Sequence, residues 1–320
     1  MVIVFFIISF FMYMLYNLIP TDPARAELEP MRKELKPDEY EQQYKELRQQ
    51  MGLDDPIVLR YTRWMGLSPD MEGHFNGLLQ GNFGYSNLYK KDVRKVIKEP
   101  MLYTVFINIF ATILALGITI PLGIKTAVKK NSGFDKAVQV FSIVGYSIPI
   151  YIIALVMIYL FAVKIRIFPV GGMMTPGSSY TGWKWFTDRL YYILLPLIVM
   201  TLASLGGMTR YVRAAMIDAL SMDYIRTARA KGVHEKTVIY RHAWRNALLP
   251  VITVVIGWFL SIFSGSVITE TTFGLNGMGK LYIAGLNNND YELVLYGCLS
   301  RRCINYRPEL RTGRPACTGG

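Results

Sequence analysis

Five apolar runs, at residues 2–19, 101–124, 138–163, 191–208 and 247–268, constrain this chain more than any other feature. An α-helix rises about 1.5 Å per residue, so each run is about long enough to cross a hydrocarbon layer ~30 Å thick. Hydrophobic residues make up 52% of the 320-residue chain and are gathered into blocks, whereas a soluble domain spreads them in amphipathic periods. Lipid leaves no water for unpaired backbone groups, and helices satisfy those groups within each segment. The expectation is an all-α integral membrane protein with five visible spans.

Lys and Arg in short loops set the orientation. Lys125, Lys129, Lys130 and Lys136 crowd the loop after the second run, and eight more Lys and Arg residues lie between the fourth and fifth. Both loops are expected in the cytoplasm, the second over 210–246, together with the N-terminus. The loop at 164–190 is basic too, with Lys164, Arg166, Lys184 and Arg189, and is placed outside by alternation of the spans. The positive-inside rule accounts for most of the net charge of +12 more simply than a nucleic-acid surface does.

The most specific segment is 223–250, DYIRTARAKGVHEKTVIYRHAWRNALLP. Arg226, Arg229, Lys231, Lys236, Arg241 and Arg245 surround Gly232, with only Asp223 and Glu235 as acids. Gly232 can take the positive φ that ends one short helix, Glu235 then falls in the first turn of the next, and Pro250 is expected to start the following apolar run. This segment resembles the cytoplasmic EAA loop of membrane-spanning subunits of ABC importers, in the variant of the dipeptide, oligopeptide and nickel permease branch. The residues that carry the likeness are 226–232, RTARAKG, and 241–250, RHAWRNALLP; Arg226 stands where the generic motif has Glu.

The resemblance implies a type I-like transmembrane domain. It also implies a second homologous permease subunit, two ABC ATPase subunits inside and an extracytoplasmic substrate-binding protein. Within the loop at 218–247 it implies ATPase coupling by Arg226, Thr227, Ala228, Arg229, Ala230, Lys231, Gly232 and Glu235. Pathway candidates are the polar span residues Asn108, Tyr146, Ser147, Ser204 and Ser264. Pro121, Gly123, Gly145, Ser147 and Pro149 are expected to mark helix packing ahead of a broken helix at a pathway.

Residues 1–19 form the first span in this reading. A cleaved signal peptide is the alternative, since Ala24-Arg25-Ala26 imitates a small-x-small cleavage site, but the apolar run is long and lacks a basic flank. That missing flank leads us to expect that a few starting residues are absent. Residues 20–100 are expected to be extracytoplasmic. The runs at 19–24 (IPTDPA), 51–56 (MGLDDP) and 81–86 (GNFGYS) resemble landmarks of the first external loop of peptide permeases.

Catalytic chemistry finds no support. Ionisable residues inside a span are the usual sign of a functional site in lipid, and these runs contain essentially none, which also argues against a proton-coupled carrier. His234 and His242 stand eight apart and His74 is remote, unlike a metal pair at i,i+4. No metal or cofactor is expected. Gly274 to Lys280 satisfies G-x-x-x-x-G-K, the start of a phosphate-binding loop, but Leu281 replaces the Mg²⁺-binding hydroxyl and no strand precedes it. An external turn is the expectation, and it resembles the glycine-rich turn of the permease family.

Residues 101–297 are expected to form the permease core. From Cys298 the composition changes to CLSRRCINYRPELRTGRPACTGG, which contains no run able to cross a bilayer. The permease family would continue with about 20 apolar residues, so a sixth span is expected to be lost from 298–320 through a frameshift or truncated frame. Cys298, Cys303 and Cys317 fit no common zinc spacing. The sequence reads as the permease subunit of an ATP-driven peptide importer in a bacterial or archaeal inner membrane. The alternative is a channel or secretion-type membrane protein that works without an ATPase.

Overall fold

The computed structural model describes residues 2–18, 22–32, 36–263, 265–290 and 292–296. The helices are α1 (Val2–Asn17), α2 (Pro23–Leu28), α3 (Pro37–Gln50), α4 (Ile57–Met65), α5 (Val93–Val128), α6 (Gly133–Ser147), α7 (Ile150–Met157), α8 (Gly182–Ser221), α9 (Asp223–Ala230), α10 (Glu235–Thr237), α11 (Trp244–Ser261), α12 (Val267–Thr272) and α13 (Met278–Asn287). A two-residue antiparallel ladder pairs β1 (Tyr85–Ser86) with β2 (Lys91–Asp92). The chain divides into two compact units, one of residues 1–100 and 281–320 and the other of residues 101–280.

In the first unit, the apolar helix α1 meets α4 through aromatic side chains. Phe10 and Tyr13 pack edge-on against Tyr61, whose hydroxyl lies 2.7 Å from Ser9 Oγ, and Met65 and Leu295 complete the cluster. Part of the charge in this unit is tied off locally. Arg48 spans Asp22 and Asp54 at 2.6 Å each, and α4 ends on Gly66 at φ +84°. A left-handed residue at that position favours glycine, which has no Cβ to clash.

In the second unit, α8 is the central helix. It buries 39% of its most apolar window, against 22% for α5. Small residues let its neighbours close in: a Cβ at Gly123 would lie 2.7 Å from Val212 Cβ, and one at Gly206 would lie 2.5 Å from the Ser142 carbonyl oxygen. Packing therefore explains Gly123, as the sequence led us to expect, while Gly145 faces open space.

Among the described residues, two helices, α5 and α8, are long and apolar enough to cross a membrane. The third run is bent by 99° between α6 and the helical stretch at 150–164. The break falls at Ile148, just before Pro149; proline lacks the N–H needed to continue the helix and biases its predecessor toward extended backbone. Ser147 and Pro149 thus mark a break, and Pro121 lies within the continuous helix α5. The first and fifth runs appear as α1, of 16 residues, and α11, of 18. The expected sixth-span loss and the cysteines fall at 298–320, outside the described residues.

Candidate functional site: a basic elbow on a buried weld

The extended backbone of Met222, at ψ 151°, separates α8 from α9. Helix α9 closes in a Schellman motif: the Gly232 N–H donates to the Arg229 carbonyl at 2.9 Å and the Val233 N–H to the Ala228 carbonyl at 3.2 Å. Gly232 takes φ +74°, the left-handed value this closure requires. His234 Nδ1 then accepts from the Lys236 N–H at 3.2 Å and caps α10, with Glu235 in its first turn.

Two details depart from the sequence reading. The second arm is not a separate short helix: α10 continues through a π-helical stretch, Val238–Ala243, into α11. Pro250 lies inside α11 and does not start it. Packing of Ala247 and Val251 carries the helix through the proline, although the Asn246 carbonyl loses its donor.

Beneath the elbow lies an apolar weld. Ile225 on α9 and Val238 and Ala243 on the second arm are fully buried against Ile124 of α5 and Met208, Val212 and Met216 of α8. The elbow is therefore joined rigidly to two long helices. Its outer face is polar, with Arg226, Thr227, Arg229, Ala230, Lys231, Gly232 and Glu235 exposed and Ala228 half-buried. Arg229 pairs with Glu235 across the turn at 2.7 Å, and Arg226 lies 3.6 Å from Asp223. The Arg229 guanidinium holds the Glu235 carboxyl below its usual range. Among the described residues, Lys231, Lys236, Arg241 and Arg245 enter no ion pair, so the free positive charge sits mainly on the second arm.

A second ion pair stiffens the base of the same unit. Arg213 of α8 grips Asp135 of α6 with two bonds, Nε to Oδ1 at 2.6 Å and Nη2 to Oδ2 at 2.7 Å. The Asp135 side chain is wholly buried and also accepts from the Asn131 N–H and Gln139 Nε2. Sequence reasoning missed this pair because the partners lie 78 residues apart.

The phosphate-loop imitation has a physical explanation. The Gly279 and Lys280 N–H groups donate to Glu270 Oε2, at 2.5 and 3.1 Å, and Thr104 Oγ1 donates to Oε1 at 2.9 Å. An anion does sit at the N-terminus of α13, where amides and helix dipole favour it, but it belongs to the chain itself. Gly277 is obligatory there, since a Cβ would come within 2.5 Å of the Glu270 carboxyl and 2.6 Å of Thr104 Oγ1.

The described pathway candidates each have an identified local setting. Asn108 donates to the Ile262 carbonyl at 2.7 Å, and Ser147 and Ser204 bond back to the Ile143 and Met200 carbonyls of their own helices at 2.8 Å. Tyr146 is 70% exposed beside the α6 break. Ser264 lies outside the described residues.

Comparison with known proteins assigns these apolar helices and this elbow to the membrane subunit of a transport system. The chain belongs to the family of binding-protein-dependent transport system inner membrane components, whose model matches residues 119–300; the model of that family's N-terminal region matches 1–108. The chain is 32% identical to the oligopeptide transport system permease protein AppB of Bacillus subtilis, over 90% of this chain and 85% of that protein. It is also 32% identical to the di/tripeptide transport system permease protein DppB of Pseudomonas aeruginosa, covering 92% and 87% of the two chains. The oligopeptide transport system permease protein OppB of Salmonella typhimurium is 32% identical over 76% and 72%.

Proposed function

We propose that this chain forms half of the translocation pathway of an ATP-driven importer of short peptides. It pairs with a second homologous permease, receives cargo from an extracytoplasmic binding protein, and couples through residues 218–247 to two separate ATPase subunits in the cytoplasm. Peptide cargo is supported by the three relatives, each a peptide or oligopeptide permease by name. The five-span reading belongs to the same proposal, with a sixth span missing after 297.

The observation that carries the coupling role is the elbow's construction. Its inner face is fixed by Ile225, Val238 and Ala243 to α5 and α8, while its outer face presents unpaired Lys231, Lys236, Arg241 and Arg245. A rigid lever with a cationic face suits an acidic groove on a partner, where complementary charge sets orientation and register. Arg229 and Glu235 fix the angle between the arms, and Gly232 lets the turn close. ATP-driven movement of the partner then tilts α8 and α11 directly.

Copurification from native membranes tests this. A tagged chain brings down ATPase subunits if it is an importer permease, and Gly232→Val leaves it inserted while peptide uptake falls. Recovery of the tagged chain free of any ATPase would favour a channel.

A further inference from the structure

The first unit carries a half-open cavity of about 950 Å³, at the upper end of the range that holds small organic ligands. Most charges on its wall are already spent. Arg48 is held by Asp22 and Asp54, Arg63 by Asp55, and Asp290 accepts from the Ser86 hydroxyl at 2.5 Å and the Leu88 N–H at 3.1 Å.

Two charges differ. Arg60 is half-buried and held in place by Asn17 Oδ1 at 2.5 Å, and among the described residues no carboxylate pairs with it. Glu292, also half-buried, accepts from the Tyr85 N–H and has no cationic partner among the described residues. Both line the same cavity, which Tyr13 also borders. The position of Glu292 is built: a Cβ at Gly84 would lie 1.7 Å from Glu292 Oε2, so glycine at φ +78° makes room for the carboxylate against the backbone. A half-buried ionisable group is costly to charge unless a partner completes it, and a ligand ammonium beside Glu292 would favour its ionised form.

We propose that this cavity binds a short zwitterionic peptide, with the terminal carboxylate at Arg60 and the terminal ammonium at Glu292. The guanidinium fork suits a carboxylate, and Glu292 supplies an acceptor for N–H donors. Tyr13 and Trp64 flank the site with aromatic surface that tolerates varied side chains. The proposal rests on the peptide-importer reading and adds a station on the permease itself, separate from the binding protein.

The test uses the full chain in nanodiscs with trialanine, N-acetyl-trialanine and trialanine amide, measured by calorimetry. Trialanine should bind, and each blocked peptide should bind about tenfold more weakly, since a charge-assisted bond of at least ~1.4 kcal/mol is lost. Arg60→Gln should weaken trialanine about tenfold and abolish discrimination against the amide only; Glu292→Gln should do the same for the acetylated peptide. Arg60→Lys, which keeps the charge, should retain most binding. Equal binding of all three peptides, or none by protein with an unchanged melting temperature, overturns the proposal. Uptake by the assembled importer separates the two claims: trialanine import without binding to the permease removes the cavity site alone, and absence of peptide import removes the functional reading.

Discussion

Arg229 Nη2 lies 2.7 Å from Glu235 Oε1, so the two arms of the elbow are joined by a salt bridge that spans the Gly232 turn. Both side chains are about half exposed, and exposed pairs of this kind contribute little to folding. The bond sets an angle more than it stabilises. Its charge behaviour follows from the lowered Glu235 carboxyl: the contribution is present above the ordinary carboxylate pKa and lost only as pH falls through the lower, folded value. We therefore expect Glu235→Gln to leave the melting temperature unchanged near neutral pH and to lower peptide-dependent ATPase stimulation in the reconstituted importer. The charge-swapped double variant Arg229→Glu/Glu235→Arg should restore part of it.

Gly232 can be examined by a graded series. A Cβ there meets nothing within 4 Å, so substitution costs only backbone strain, about 1–2 kcal/mol for an L-residue at positive φ. Asn tolerates that region and β-branched residues do not. Uptake in whole cells should therefore rank glycine, asparagine, alanine and valine in descending order, with membrane insertion constant.

How much of this was legible in the sequence depends on range. Gly232 could be read because a left-handed helix end is a local requirement, and Glu235 because it falls three residues beyond it. The Arg229–Glu235 bridge was not, since i,i+6 is no helical spacing and the turn alone brings the pair together. At 274–280 the carboxylate that meets the amides could not be named from sequence, because Thr104 stands 166 residues from Glu270 in the chain. Pro250 misled for the opposite reason: a local stop signal was overridden by packing of Ala247 and Val251. The polar span residues were chosen by type alone, and the backbone carbonyls that Asn108, Ser147 and Ser204 meet could not be read from type.

Removing Glu270 exposes the cost of that arrangement. Glu270→Ala leaves the Gly279 and Lys280 N–H groups and the Thr104 hydroxyl without their acceptor in a buried setting, at about 1–3 kcal/mol for each unsatisfied group. A drop in thermal stability larger than that of Glu270→Gln, which keeps one carbonyl acceptor, is expected by fluorescence melting in detergent.

The Asp135–Arg213 pair should behave as a buried clamp. Deleting one partner strands the other, which costs about 3–5 kcal/mol, so Asp135→Ala should destabilise strongly. Replacing both with apolar residues of similar volume should be milder, and a thermal-shift comparison of the two variants checks the sign.

Glu292 carries a pH signature. Burial, with a smaller contribution from nearby Asp290, pushes its carboxyl up to about 7 against the Tyr85 hydrogen bond. The folded protein then holds a proton that the unfolded chain releases above about 4.5, so stability falls as pH rises from 4.5 to 7. Glu292→Gln should flatten that slope in melting curves taken across the interval.

The most direct test of the central claim is access to Ala230, which is exposed on the elbow. In a variant with Cys298, Cys303 and Cys317 changed to serine, Ala230→Cys is treated with a membrane-impermeant maleimide. The account predicts labelling in inside-out vesicles stripped of ATPase, protection when purified ATPase subunits are added back, and no labelling of intact cells. Labelling from outside intact cells, or no protection by the ATPase, would contradict it.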